Sequence, residues 1–368
     1  MNSKSYSKSY SKSYSKSYSP SINKDLHLDY HSNSKSYLSL DKNKDFNIKS
    51  LNKNLILPSF NLKNKTRKNI KLTNKLVKKK LIKNLSSKKK NDCKKIIAPK
   101  QLLSNCWFNV LFMSLFISDK GTKFFKHLRL QMIKGRRLDN TLIKPKKLRE
   151  SLLLLNYFID ISTSKVTKNK KLAKNLNTNS LILNIYNSIP KKFKNNFLQL
   201  YKINNSGNPI FYYMSLIQYL NPNTIDIFFL KINIKNYTNI ENMETNNITF
   251  INYIPNIIIF EIPKLVSKKF IKKMNYELKF SNKKYKYLLD SICIIDDDNM
   301  HFGSLLTCNK EYYGFDGASN SRLNKFNWNK LINANKKWTF KGSKWEGENK
   351  NIYWNFKDGY QLLFYYRI

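Results

Sequence analysis

Residues 101–117 read QLLSNCWFNVLFMSLFI. From Trp107 to Ile117 nearly every position is apolar, so a helix built from this stretch has no solvent face. That pattern belongs to a buried central helix rather than to an amphipathic surface one. Its expected start falls at Cys106, behind the polar pair Ser104-Asn105. A thiol at a helix N-terminus sits in the positive field of the helix dipole, which favours the thiolate. Beside Trp and Phe, a cysteine reads first as a small core residue. The nucleophile reading therefore waits on a partner.

Downstream of this helix the spacing predicts two more, over about 146–161 and about 182–201. After about residue 208 the texture turns to short strand-like runs: Ile225–Ile234, Ile254–Ile262, Tyr287–Ile295, Phe302–Cys308, Glu311–Phe315 and Tyr360–Tyr366. Helices first and strands afterwards predict an α+β fold. Upstream, residues 61–100 hold 16 Lys and Arg against one acid, Asp92, and form a Lys-rich linker or arm. Residues 3–18 repeat Ser-Lys-Ser-Tyr four times, and Lys35-Ser36-Tyr37 returns to it. A tract of Ser and Lys with one aromatic in four cannot bury enough surface to offset chain entropy, so residues 1–60 are expected to be a disordered, low-complexity tail. The organisation expected is thus a tail (1–60), an arm (61–100) and one catalytic-size domain (101–368).

The 368 residues carry 68 Lys and Arg against 23 Asp and Glu, a formal net charge of +45. Such an excess fits a polyanion partner, and residues 61–100 are the candidate contact with nucleic acid. Only seven of the 68 are Arg, and Lys, Asn, Ile, Tyr and Phe are abundant together. That is equally the bias of an AT-rich coding sequence, such as some large DNA viruses carry. The charge is also spread: residues 1–100 hold 26 basic and 5 acidic groups, and residues 101–368 hold 42 and 18. Cysteines stand at 93, 106, 293 and 308 with no CxxC pair, which excludes a ribbon-type zinc site and a dense disulfide framework. A reducing, intracellular compartment fits this usage, in the cytoplasm, the nucleus or a virion. Cys93, among Asn91, Asp92, Lys94 and Lys95, is expected to be exposed; Cys293 and Cys308, on apolar strand positions, are expected to be buried thiols. No apolar leader opens the chain, and no run reaches the roughly 18 apolar residues of a membrane span. Trp338, Trp345 and Trp354 are expected to pack in the core or within an insertion.

Four histidines are available. His27 and His31 fall in the tail, and His127 lies on a Lys-rich amphipathic stretch where a solvated ring is expected. His301 instead opens the run HFGSLLTC, and the following run EYYGF ends in Asp316-Gly317. The start of one strand and the far end of its hairpin partner lie side by side in an antiparallel pair. Asp316 is thereby within reach of His301, where it would fix the imidazole tautomer and aim the ring at a thiol. Asp-Gly is also an ordinary turn signal, so this placement is an expectation for the structure to test.

These residues also carry a family resemblance. Gln101-Leu102-Leu103-Ser104-Asn105-Cys106-Trp107-Phe108-Asn109 resembles the cysteine box of the ubiquitin-specific proteases, and Asn109 matches the Asn of that box. His301-Phe302 through Tyr312-Tyr313-Gly314-Phe315-Asp316-Gly317 resembles the histidine box. Ile254 to Ile262 is similar to the buried strand that precedes it, and Gly359 to Arg367 to the closing strand; the four pieces occur in the family's order across 101–368. The resemblance implies a papain-like cysteine protease fold, with a helical thumb carrying the nucleophile and an antiparallel β palm carrying the base. It implies Cys106 as nucleophile, His301 as general base and Asp316 as its orienter. Gln101 would be the oxyanion donor, in place of the family's Asn, with Asn105 in reserve. No cofactor and no metal are implied, and the partner would be a conjugate of ubiquitin or of a ubiquitin-like protein. The sequence departs from the family at Leu102-Leu103-Ser104, where a Gly-rich turn is usual, at Met300 before the histidine, and in lacking the CxxC pairs of the fingers. Those departures widen the substrate to a ubiquitin-like protein or a viral polyprotein. The competing reading is a basic protein, associated with nucleic acid or a virion, that keeps a protease-like fold without the activity.

Overall fold

The computed structural model describes residues 74–87, 91–99, 101, 105–164, 178–194, 209–220, 227–232, 254–280, 283–296, 301–317, 322–344 and 350–368. They belong to a unit that runs from Ser59 to Ile368. The expectations for the 1–60 tail, for residues 61–73 and 88–90 of the arm, and for Trp345 lie outside the described residues.

Seven helices of a turn or more precede the first strand among those residues: α1 (Asn74–Ser86), α2 (Cys106–Phe116), α3 (Asp119–Phe124), α4 (Lys126–Lys134), α5 (Lys146–Ser162), α6 (Asn179–Ser188) and α7 (Pro209–Leu220). All eleven residues of α2 are buried, as its apolar circumference requires. Helix α5 matches its expected span within a residue. Helix α6 ends at Ser188, well short of the expected 201, because Pro190 cannot continue a helix and holds Ile189 in an extended conformation. Helix α7 overturns the reading of strands from 208 onward. Tyr212, Tyr213, Leu216, Ile217 and Leu220 are buried at helical spacing, a period hidden in a segment apolar on nearly every side. Helix α1 puts Val77 and Leu81 inward against α4 and α5 and leaves most of its lysines exposed.

The strands are β1 (Ile227–Lys231), β2 (Ile257–Ile262), β3 (Asn275–Phe280), β4 (Lys283–Asp296), β5 (His301–Cys308), β6 (Glu311–Asp316), β7 (Asn324–Lys325) and β8 (Gln361–Arg367), with a one-turn helix α8 (Lys264–Ser267) after β2. They form one sheet in the order β1-β2-β8-β4-β5-β6-β7, with β3 also paired to β4. The sheet is antiparallel except for β1 and β2, which run parallel; the palm expected to be wholly antiparallel is therefore mixed. A parallel pair needs a connection of a dozen residues or more, and the interval between Lys231 and Ile257 supplies it.

Two layers cover the central strands. On one side α2 crosses β4 to β6, and the Ser114 hydroxyl meets Ser304 at 3.0 Å and Cys293 at 3.4 Å. On the other lies an aromatic layer from the segment between β7 and β8, built of Trp328, Trp338, Phe340, Trp354 and Phe356. It closes onto the β5–β6 hairpin over two glycines. A Cβ on Gly314 would lie 2.0 Å from Phe340 Cε1, and one on Gly303 3.1 Å from the Trp354 ring. The hairpin turns through Asn309 and Lys310, both at positive φ, the pattern of a tight primed turn. Asp119 at the start of α3 accepts both turn amides, Asn309 N at 2.8 Å and Lys310 N at 2.7 Å.

A strap of residues 91–99 runs beside this hairpin. Cys93 is buried and disulfide-bonded to Cys308, which corrects both the exposed cysteine expected at 93 and the free thiol expected at 308. Its polar neighbours point outward while Ile96, Ile97 and Ala98 are carried into the core. Further on, Gln101 N donates to Gly317 O at 2.8 Å. The strap thus ties the chain just before α2 to both ends of the hairpin.

Candidate active site

The N-terminus of α2, the first residue of β5 and the last of β6 converge at one end of the hairpin. The ladder pairs Gly303 with Asp316, so Asp316 lies two residues from His301 on the neighbouring strand, as the hairpin argument expects. His301 Nε2 bonds Asp316 Oδ1 at 2.5 Å, and both side chains are fully buried. The Cys106 thiol lies near enough for its charge and hydrogen-bonding capacity to bear on the ring. Burial by itself pushes the imidazole pKa down; the hydrogen bonds to Asp316 and Cys106, and the charges of both, more than offset it and raise it to about 10.

Cys106 is the first residue of α2 and is 7% exposed. Asn105 precedes it as the N-cap without capping the helix through its side chain. Instead Asn105 Nδ2 donates to Thr178 Oγ1 at 2.8 Å, and Thr178 Oγ1 donates to Asn109 Oδ1 at 3.1 Å. The amide nitrogen of Asn105 is therefore committed. Gln101 has its backbone anchored on Gly317, yet its side-chain oxygen is buried without a hydrogen-bond partner. The Asn109 Nδ2 is likewise buried and without a partner. A Cβ on Gly317 would lie 3.7 Å from Gln101 Cβ and 3.8 Å from Asn109 Nδ2. The side chains of Gln101 and Asn109 thus both approach Gly317, the residue after Asp316.

Of the residues singled out in the sequence, Cys106, His301 and Asp316 come together, with Gln101 and Asn105 close to the start of α2. His127 is exposed, with Gln131 at 3.5 Å. Cys293 is fully buried beneath α2, and burial pushes its thiol up to about 12 despite the Ser114 hydrogen bond. Trp338 and Trp354 are core residues. Among the described residues no group of three His, Cys, Asp or Glu could hold a metal ion, and no helix is long and apolar enough to cross a membrane.

No family model and no curated protein matches the chain. Solved structures that it is similar to include the SAGA DUB module of Ubp8, Sgf11, Sus1 and Sgf73 bound to monoubiquitin, 11% identical, covering 82% of this chain and 76% of that one with a TM-score of 0.44. The same module bound to ubiquitin aldehyde is 10% identical, with the same coverage and a TM-score of 0.44. The yeast module with a substitution in Sgf73 is 10% identical, again with that coverage, at a TM-score of 0.41.

Three residues of this neighbourhood carry no signal in the sequence. Ser343 Oγ donates to Asp316 Oδ2 at 2.6 Å. Trp354 stands 6.0 Å from the His301 ring, and its Nε1 donates to the His301 carbonyl at 3.4 Å. Thr178 bridges Asn105 and Asn109. Each lies far along the chain from its partner, in a segment without a motif.

Proposed function

We propose that this chain is a thiol-dependent hydrolase that cleaves the peptide or isopeptide bond at the C-terminus of ubiquitin or a ubiquitin-like protein. The observation that carries the reading is the environment of His301: a buried imidazole bonded to Asp316 and standing close to the thiol that opens a buried helix, close enough for that thiol to act on its titration. That is the nucleophile, base and orienter arrangement of acyl transfer.

Cys106 Sγ, with its proton held on His301, attacks the substrate carbonyl carbon, whose π electrons move onto the oxygen. The Gln101 side-chain amide and the backbone N–H groups at the start of α2 are the donors for that oxyanion. One such donor contributes about 10²–10³ in kcat. Between the two side chains considered, Gln101 is favoured because one N–H of the Asn105 amide is already given to Thr178. Collapse of the adduct breaks the C–N bond, and the leaving amine takes the proton from His301. Water then attacks the thioester while His301 receives its proton; collapse of this second adduct breaks the C–S bond, the carboxylic acid leaves, and the proton on His301 is shared again with the Cys106 sulfur. The reaction so written needs no metal or cofactor.

The choice of acyl group rests on the ordered cysteine and histidine boxes and is separate from the thiol chemistry. The test is to incubate the full chain with ubiquitin bearing a C-terminal electrophile and to map the adduct by mass spectrometry. An adduct confined to Cys106 and lost in His301→Ala is expected. Alkylation of Cys106 by iodoacetamide without a ubiquitin adduct would overturn ubiquitin as substrate and keep the thiol hydrolase. A Cys106 inert to both reagents would overturn the hydrolase itself.

A further inference from the structure

Asp316 is a buried carboxylate whose orientation is held from a second direction. Its Oδ1 meets His301 Nε2, and its Oδ2 accepts from Ser343 Oγ at 2.6 Å. Ser343 is 1% exposed and comes from the segment between β7 and β8, 27 residues beyond Asp316. Its backbone is pinned on both sides: Ser343 N donates to Phe340 O at 3.0 Å, and Ile352 N donates to Ser343 O at 3.2 Å. Phe340 in turn lies on Gly314, two residues before Asp316 on the same strand face. The hydroxyl is therefore delivered to the carboxylate by packed structure.

A carboxylate bonded only through one oxygen can swing about its Cβ–Cγ bond, and burial makes an uncompensated lone pair costly. A bond to the other oxygen fixes that rotation and favours the charged form. We propose that Ser343 is a positioning residue of the candidate site, holding the Asp316 carboxylate so that Oδ1 stays aligned on His301 Nε2. This inference rests on the thiol–imidazole reading of the site.

The test compares the full chain with Ser343→Ala, Ser343→Thr and Ser343→Val. Thr and Val have nearly the same shape and differ in the hydroxyl, so a packing defect strikes both. Two readouts are taken on variants whose melting shows a folded protein: the pH titration of the His301 ring by nitrogen NMR, and the rate of Cys106 alkylation by iodoacetamide. Ser343→Ala and Ser343→Val are expected to move the His301 titration about one unit toward neutral and to slow alkylation at pH 7 about ten-fold, the worth of one hydrogen bond to a charged group. Ser343→Thr is expected to restore both. Unmoved titration and alkylation in Ser343→Ala would overturn the role of Ser343 while the site reading stands. Equal loss in Thr and Val would overturn it as well, assigning the effect to packing. A wild-type His301 that titrates at its ordinary value, with Cys106 unreactive, would instead overturn the site reading.

Discussion

His301 is pulled in opposite directions by its surroundings. Burial opposes its charge, while Asp316 and Cys106 favour it and prevail, with a folded value of about 10 against the ordinary 6.5. A raised histidine contributes stability that is complete below about pH 6.5 and is lost as pH rises through the folded value. On the proposed function the same titration governs catalysis. The kcat/KM of the proposed hydrolase is expected to hold through neutral pH and fall on an alkaline limb near pH 10. Asp316→Asn removes the carboxylate and leaves burial to act, so that limb should move toward neutral; a pH profile of ubiquitin-substrate turnover with the limb unmoved would contradict this. Cys106, His301 and Asp316 were legible because order and strand position constrain them: a base at one strand's start and an acid at its hairpin partner's end must meet. Ser343 was not, because a lone serine in a connection announces nothing until the segment is folded against β6.

At the scale of elements, the β5–β6 hairpin and the aromatic segment laid on it depend on two positions without a side chain. Phe340 reaches the backbone at Gly314 and is itself wedged among Phe326, Trp338 and Trp354, so it has nowhere to withdraw. Gly314→Ala is expected to cost about 1–3 kcal/mol, the ordinary range for overpacking. Gly303→Ala, which meets Trp354 at 3.1 Å rather than 2.0 Å, should cost less. Calorimetric melting of the two variants checks the order, and equal melting temperatures would show that the layer yields freely. The same scale explains what the sequence concealed. The helix α2 was legible because its apolar run is unbroken. The segment of α7, rich in aromatic and β-branched residues, reads as strand, and its helical period emerges only from which residues are buried. Strand β3 alternates Tyr276 and Leu278 inward with polar neighbours, but its six residues were too few to stand out.

At the scale of the molecule, the sheet is built from residues 227–367, and the Cys93–Cys308 bond ties the strap ahead of α2 to it covalently. Closing a loop of 215 residues restricts the unfolded chain by an amount worth about 5 kcal/mol on the chain-entropy account. Cys93→Ser is expected to lower the melting temperature under non-reducing conditions, and wild type with a thiol reductant should fall toward it. A variant that melts with the oxidised wild type would show that the bond adds nothing beyond the strap's packing. The bond also makes a ring of the chain between residues 93 and 308. Cys106 and His301 ride inside that ring, while Asp316 and Ser343 hang from the tail beyond it. A protease that nicks the ring once therefore cannot part the Cys106 thiol from the His301 imidazole: the fragments travel as one molecule until a reductant cuts the second tie.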